Sequence, residues 1–253
     1  MIASLDFIAL IAAILLGVLA GLIKGMTGFA MPMILVSGLG SFLAPELAIA
    51  GMILPTLVTN LWQALRQGPA AALQSARNHW IFLVVSLFTI AFAAQLVTRI
   101  SSELLFLILG VTVAAFASLQ LAGWHPRINV GNRRTAEIGG GLFAGTMGGL
   151  AGVWGPPTVL YLTALDTPKT EHVRIQGVVY GTGSIVLALA HFRSGLLSGP
   201  GLDLSALLIL PAVIGLLVGF AVQDRMDQDR FRWIVLVVLI VGGLNLVRRA
   251  LPG

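Results

Sequence analysis

Apolar residues run through this chain in stretches of about 20, the length of helix that crosses a hydrocarbon core, and short polar joints separate them. Taken in order they predict eight spans, roughly 6–36, 46–66, 79–98, 103–122, 138–165, 171–192, 203–222 and 229–248. The first and the fifth differ from the rest, because glycine and proline interrupt each of them. The two interruptions are also copies of one another. Gly17, Ala20, Gly21, Gly25, Gly28 and Pro32 fall on Gly141, Ala144, Gly145, Gly149, Gly152 and Pro156, so that Gly17–Leu35 recurs without a gap as Gly141–Val159. Weaker matches follow in the same order: "RQG" at 66–68 with "RSG" at 193–195, and "VTRIS" at 97–101 with "QDRMD" at 223–227. The pattern predicts an all-α polytopic membrane protein of about eight transmembrane helices, built as two four-span repeats with the first span of each repeat broken. Residues 1–124 form the first repeat, 125–137 a polar linking loop and 138–253 the second repeat.

Composition excludes the soluble alternative. The chain is 57% hydrophobic and 10% charged, whereas a soluble domain carries about 25% charge; so few charges could not clothe a soluble surface. The formal charge of +5 would suggest nucleic acid in a soluble chain. Here it reflects loop arginines that meet anionic lipid and fix orientation, so the bilayer is the expected partner and nucleic acid is not. With no cysteine in the sequence, disulfides, thiolate catalysis and thiolate metal sites are absent together. Met1 to Phe7 lacks a basic n-region, so no cleavable signal is expected. With eight crossings, Arg66, Arg77, Arg127, Arg133, Arg134, Arg193, Arg248 and Arg249 share one side, against Arg99, Lys169, Arg225, Arg230 and Arg232. The positive-inside rule then places both termini in the cytoplasm. Four spans per half make the repeats parallel; re-entrant broken segments would make them inverted, and both readings stay open.

A break in a membrane helix survives only where protein or a watery cavity surrounds its free backbone groups. A helix that restarts after the break points N–H groups and a positive dipole end into that space, which suits an anion. Paired breaks in matching halves are the sequence mark of a transporter site. The substrate-binding candidates are therefore Lys24, Thr27, Gly28, Phe29 and Pro32 from the first break, and Gly152, Trp154, Gly155, Pro156 and Pro157 from the second. The two breaks are expected to approach one another and line one cavity. Asn60, Tyr180 and Ser184 join the candidates as mid-span polar groups; Ser184 stands at the repeat offset from Asn60, and Tyr180 at the same offset from Thr56. Blander readings stand beside each. Small-xxx-small spacing at 17–21, 21–25, 141–145 and 145–149 also packs helices with no ligand, Lys24 could snorkel, and Asn60 could bond a neighbouring helix. Lys24 has no twin, since Gly148 occupies its place. Gln63 reads as interfacial, Arg174 as a partner of lipid phosphate, Asp166 or Glu171, and Trp62, Trp80, Trp124 and Trp233 as interface anchors. The histidines His79, His125, His172 and His191 sit near span ends at no metal-binding spacing. No carboxylate is expected deep in a span to join one in a proton relay. Neither an enzyme, a metal nor a cofactor is expected, and the oligomeric state is left open, a homo-oligomer included.

The segments "GLIKGMTGFAMPMILV" and "GLFAGTMGGLAGVWGPPTVLYL" resemble the paired signatures of the sulfite exporter TauE/SafE family, and "LPTLVTNLWQALRQG" at 54–68 resembles that family's next helix. The resemblance implies a bacterial inner-membrane carrier of about eight spans that exports sulfite or organosulfonates such as sulfoacetate. The alternatives are an importer of another small organic or inorganic anion and a non-transporting membrane scaffold. Two departures stand out. Ala30 replaces a glycine of the first signature and Trp154 a glycine of the second, so Trp154 is expected to shape the cavity and leaves substrate size open.

Overall fold

A computed structural model describes residues 7–93, 102–124, 128, 130–151, 154–193 and 195–251. Among them the chain is helical throughout: α1 (Phe7–Thr27), α2 (Met31–Leu39), α3 (Pro45–Leu65), α4 (Pro69–Asn78), α5 (Trp80–Ala93), α6 (Ser102–Leu121), α7 (Arg133–Ala151), α8 (Gly155–Ala164), α9 (Lys169–Arg193), α10 (Gly199–Arg225) and α11 (Gln228–Ala250). Five of these are long and apolar enough to cross a bilayer, namely α1, Glu46–Leu65 of α3, α9, α10 and α11. The pair α4–α5, bent by 78°, is a sixth if taken as one span. Most predicted spans lie within a few residues of a helix. The exception is α4, where a joint was expected: Gly68, at φ 90°, closes α3 and Pro69 starts a new helix with the ring geometry that suits a first turn.

The first duplicated interruption is not a break within one span. Gly28 at φ 86° and Ala30 at φ 75° both occupy the left-handed region, and the chain reverses there. A β-carbon on Gly38 of α2 would sit 2.7 Å from the Leu16 side chain, so α2 doubles back along α1. Met31, Leu35 and Leu39 accordingly share a buried cluster with Ala13 and Ala20. Ala30 adopts this conformation at a cost of about 1–2 kcal/mol that glycine would avoid. The second interruption does the same: Tyr161 of α8 returns to the level of Gly140, whose β-carbon would lie 3.5 Å from it. The expectation of one broken span per repeat is thus corrected to a hairpin of a long and a short helix, the first of them turned by residues in a backbone conformation a helix cannot hold.

Two compact units account for the chain. The first comprises Met1–Pro69 and Gln176–Met226, the second Ala70–Ile175 and Asp227–Gly253. In the first, the small-residue stripe of α1 lies against α10. Side chains on Gly21 or Gly25 would collide with the Ala212 and Leu216 carbonyls, and side chains on Gly215 or Gly219 with those of Val18 and Leu22. The residue order shows α1 and α10 running parallel. In the second, the copied stripe of α7 lies on α5, where a β-carbon at Gly145 would stand 2.6 Å from Ser86 O and one at Gly141 3.0 Å from Phe82 O. The glycines before each turn therefore pack backbone on backbone, as small-xxx-small spacing allows. In each unit the duplicated helix of one sequence half packs on the third predicted span of the other half.

Candidate anion site at the first hairpin

Pro55 removes one backbone hydrogen bond inside α3, and Asn60 lies just beyond it on the face toward the α1–α2 turn. Lys24, in the last turns of α1, is 1% exposed, and Asn60 is equally buried. The Lys24 amino group donates to Asn60 Oδ1. Asn60 Nδ2 in turn donates to Ser184 Oγ at 2.6 Å, and Ser184 donates to Tyr180 O at 2.6 Å. The Tyr180 ring centre lies 6.0 Å from Lys24 Nζ. Among the described residues Lys24 forms no ion pair. A lysine head group buried against one neutral amide and a ring face is costly to maintain, which sets it apart from a snorkelling side chain.

Asn60 and Ser184 are 124 positions apart, the offset of the duplication, so residues in equivalent places of the two halves touch. The helices that carry them run antiparallel. Gly177 meets Ala64, while Gly181 approaches Leu61 and the Asn60 carbonyl.

Two glutamines clamp the turn itself. Gln63 Nε2 donates to Gly28 O at 3.1 Å, and the Gln176 carboxamide fills the space beside Gly28 where a β-carbon would stand. Gln63 is 1% exposed, which corrects its expected interfacial place. Gln176 gave no signal, because its offset partner is Met52 and Gln63's is Leu187. The two glutamines converge only through the packing of α3 on α9. Thr27 and Phe29 are buried in the same turn, Thr27 donating to Ile23 O at 2.8 Å, and Pro32 opens α2 half-buried. Thr56, one turn before Asn60, is buried with its hydroxyl unpartnered. One turn beyond Gln63, Arg66 ion-pairs with Asp224 and stacks on Phe220 at 4.1 Å.

The second hairpin, within its own unit, has a different lining. Trp154 stands immediately before α8, as Ala30 does before α2, and its ring packs where a β-carbon on Gly148 would lie 3.0 Å away. The position equivalent to Lys24 is thus small so that a tryptophan can cover it. Gly155, Pro156 and Pro157 form the first turn of α8, while Gly152 lies outside the described residues. A buried carboxylate does lie close to a histidine here, near the start of a helix rather than deep in a span. Because α7 starts at Arg133, five residues before the predicted span, Glu137 is carried inward and is 3% exposed. Tyr161 OH lies 3.4 Å from Glu137 Oε1 and 3.0 Å from His79 Nδ1, and Arg133 donates to Glu137 at 2.9 Å.

Buried helix hairpins that hold polar side chains among long apolar helices define a multi-pass membrane protein of transporter type. The chain belongs to the sulfite exporter TauE/SafE family, whose model matches residues 13–246. No curated protein and no solved structure is detectably similar to it.

Proposed function

We propose that this protein is a secondary carrier that exports sulfite or a small organosulfonate such as sulfoacetate across the bacterial inner membrane, with Lys24 and Asn60 anchoring the anion. The observation that carries the reading is a fully buried lysine that, among the described residues, meets an amide and a ring face but no carboxylate, at the turn of the hairpin that bears the family's first signature. An oxyanion entering there would give Lys24 a charged partner, Asn60 Nδ2 and the Thr56 hydroxyl being further donors within the same helix face. Tyr180, Ser184, Thr27, Gly28, Phe29 and Pro32 would frame it. Trp154, with Gly152, Gly155, Pro156 and Pro157, would limit what passes the second hairpin. Everted membrane vesicles that overproduce the chain are expected to accumulate labelled sulfite or sulfoacetate above vesicles lacking it, and not a carboxylate of similar size. Accumulation of the carboxylate alone, or of none of the three, would refute the substrate class.

The proposal also covers the path of the chain. Since α3 starts beside the end of α2 and runs parallel to α1, each hairpin brings the chain back before the next long helix. Each half then makes an odd number of passages and the halves are inverted, which the antiparallel course of α3 and α9 supports. Both termini still share one side. The cysteine-free sequence makes a direct test simple. Cysteines introduced at Ala70 and Ser198, just past the matching "RQG" and "RSG" joints, should react with an impermeant maleimide from opposite sides of the membrane. Labelling of both from the same side would show that the repeats are parallel.

A further inference from the structure

A second polar cluster, in the other unit, has no part in the site above. It lies where the C-terminal ends of α6 and α8 meet the N-terminal ends of α9 and α11. Arg232 and Gln120 form its centre. Gln120 is 1% exposed, and its Oε1 accepts from Arg232 Nη2 at a long 3.4 Å. Its Nε2 and the Arg232 Nε are, among the described residues, both buried N–H donors without an acceptor. Among the described residues Arg232 has no carboxylate within ion-pair distance. Two neighbouring donors and an unpaired guanidinium charge all require the same thing, an acceptor that carries negative charge.

Arg232 also lines a half-open cavity with Thr163, Thr167, His172 and Gln228, which encloses about 10 Å³. That is the room of about one water-sized group, so a single oxygen enters while the rest of its molecule stays in the mouth. Asp166, exposed, lines the same cavity, and its carboxylate restricts which anions can approach. His172 is held edge-on to Phe231 with ring centres 5.5 Å apart, which stiffens the wall. The level of the cluster follows from its neighbours. Trp233 adjoins Arg232 and Trp124 lies one turn beyond Gln120, 56% and 50% exposed, the positions at which indoles mark the headgroup layer.

We propose that Arg232 and Gln120 form an oxyanion site that binds one oxygen of a phosphodiester or a comparable free oxyanion. At the headgroup level the phosphate of an anionic phospholipid is the source within reach; a free sulfur or phosphorus oxyanion has the same chemistry. The guanidinium, which lines the cavity, would supply charge and its unused Nε–H, and the adjoining Gln120 amide a second buried donor. This site does not depend on the function proposed for Lys24.

The test uses the purified full chain. Native mass spectrometry through stepwise delipidation should find a phospholipid retained on the parent protein, with retention weakened about tenfold or more in Arg232→Gln, the scale expected for a lost charge-assisted bond. Delipidated protein is then titrated with inorganic sulfate or phosphate against chloride at equal ionic strength, with Trp fluorescence and thermal midpoint as readouts. If the free oxyanion is the source, these anions raise the midpoint, Lys24→Met retains the response and Arg232→Gln loses it. Gln120→Met keeps the guanidinium and should weaken whichever response is seen without abolishing it, which covers the case in which Arg232→Gln does not fold. Equal lipid retention and equal anion response in the parent protein and in the folded variants would overturn the proposal.

Discussion

Gly21→Ala is expected to be among the most destabilising single-methyl changes in this protein. The added β-carbon would overlap the Ala212 carbonyl and crowd the Leu216 amide. Both are backbone atoms of α10, which no rotamer change can move aside. Relief requires α1 and α10 to separate, and that would undo the reciprocal contacts of Gly215 and Gly219 with Val18 and Leu22. Overpacking typically costs about 1–3 kcal/mol, and a backbone-on-backbone collision belongs at the upper end. Gly145→Ala meets Ser86 O and the Thr89 β-carbon at 2.6 Å, a wider approach than that of Gly21 to Ala212 O, and should cost less because the overlap is smaller. Gly139, also on α7, has nothing within 4 Å of its would-be β-carbon. Gly139→Ala should therefore be neutral or raise stability by up to about 1 kcal/mol through helix propensity. Thermal midpoints in detergent should rank Gly139→Ala first, Gly145→Ala second and Gly21→Ala last. A Gly21→Ala variant as stable as Gly139→Ala would show that α1 and α10 do not pack in this way.

That packing was half legible. The spacing of Gly17, Gly21 and Gly25 announces a close helix contact, and its repetition at Gly141 and Gly145 announces a second one. The partners are less visible. Gly215 and Gly219 form a small-xxx-small pair of their own inside α10, yet the partner of α7 at closest approach is Ser86, an ordinary residue of an apolar run. The hairpins were less legible still. Glycine and proline mark where a helix ladder fails, but not the direction in which the chain resumes. Here the direction is set partly by Ala30, a residue with no left-handed signature. Gln63 and Gln176 escaped because each has an apolar residue at its repeat offset, so the duplication that pointed to Asn60 and Ser184 pointed away from them. Glu137 was misplaced by five residues of helix boundary, enough to bring a carboxylate from a loop into the interior beside Tyr161 and His79.

Lys24→Met is the substitution that separates function from architecture. Methionine nearly matches the length of the lysine stem and fills the same space, but it removes the donor to Asn60 and, among the described residues, the one lysine or arginine head group placed at this turn. A hydrogen bond that involves a charged group contributes about 1.5–3 kcal/mol, so the loss predicts transport of the proposed anion lowered about 10- to 150-fold, seen as a raised KM in vesicles. Stability should move the other way or not at all. Replacing a buried ionisable group by an apolar one of similar volume is often neutral or stabilising, and here the vacated partner is an amide that keeps its bond to Ser184. A carrier that loses transport while its thermal midpoint holds or rises has been retaining Lys24 for the substrate. Asn60→Ala supplies the contrast, since it leaves the lysine buried with no acceptor and should lower both activity and midpoint. If Lys24→Met instead transports sulfite or sulfoacetate with the parent KM, the anion is held elsewhere. If it unfolds outright, the lysine is an architectural element of the turn and the anchoring role proposed for it fails.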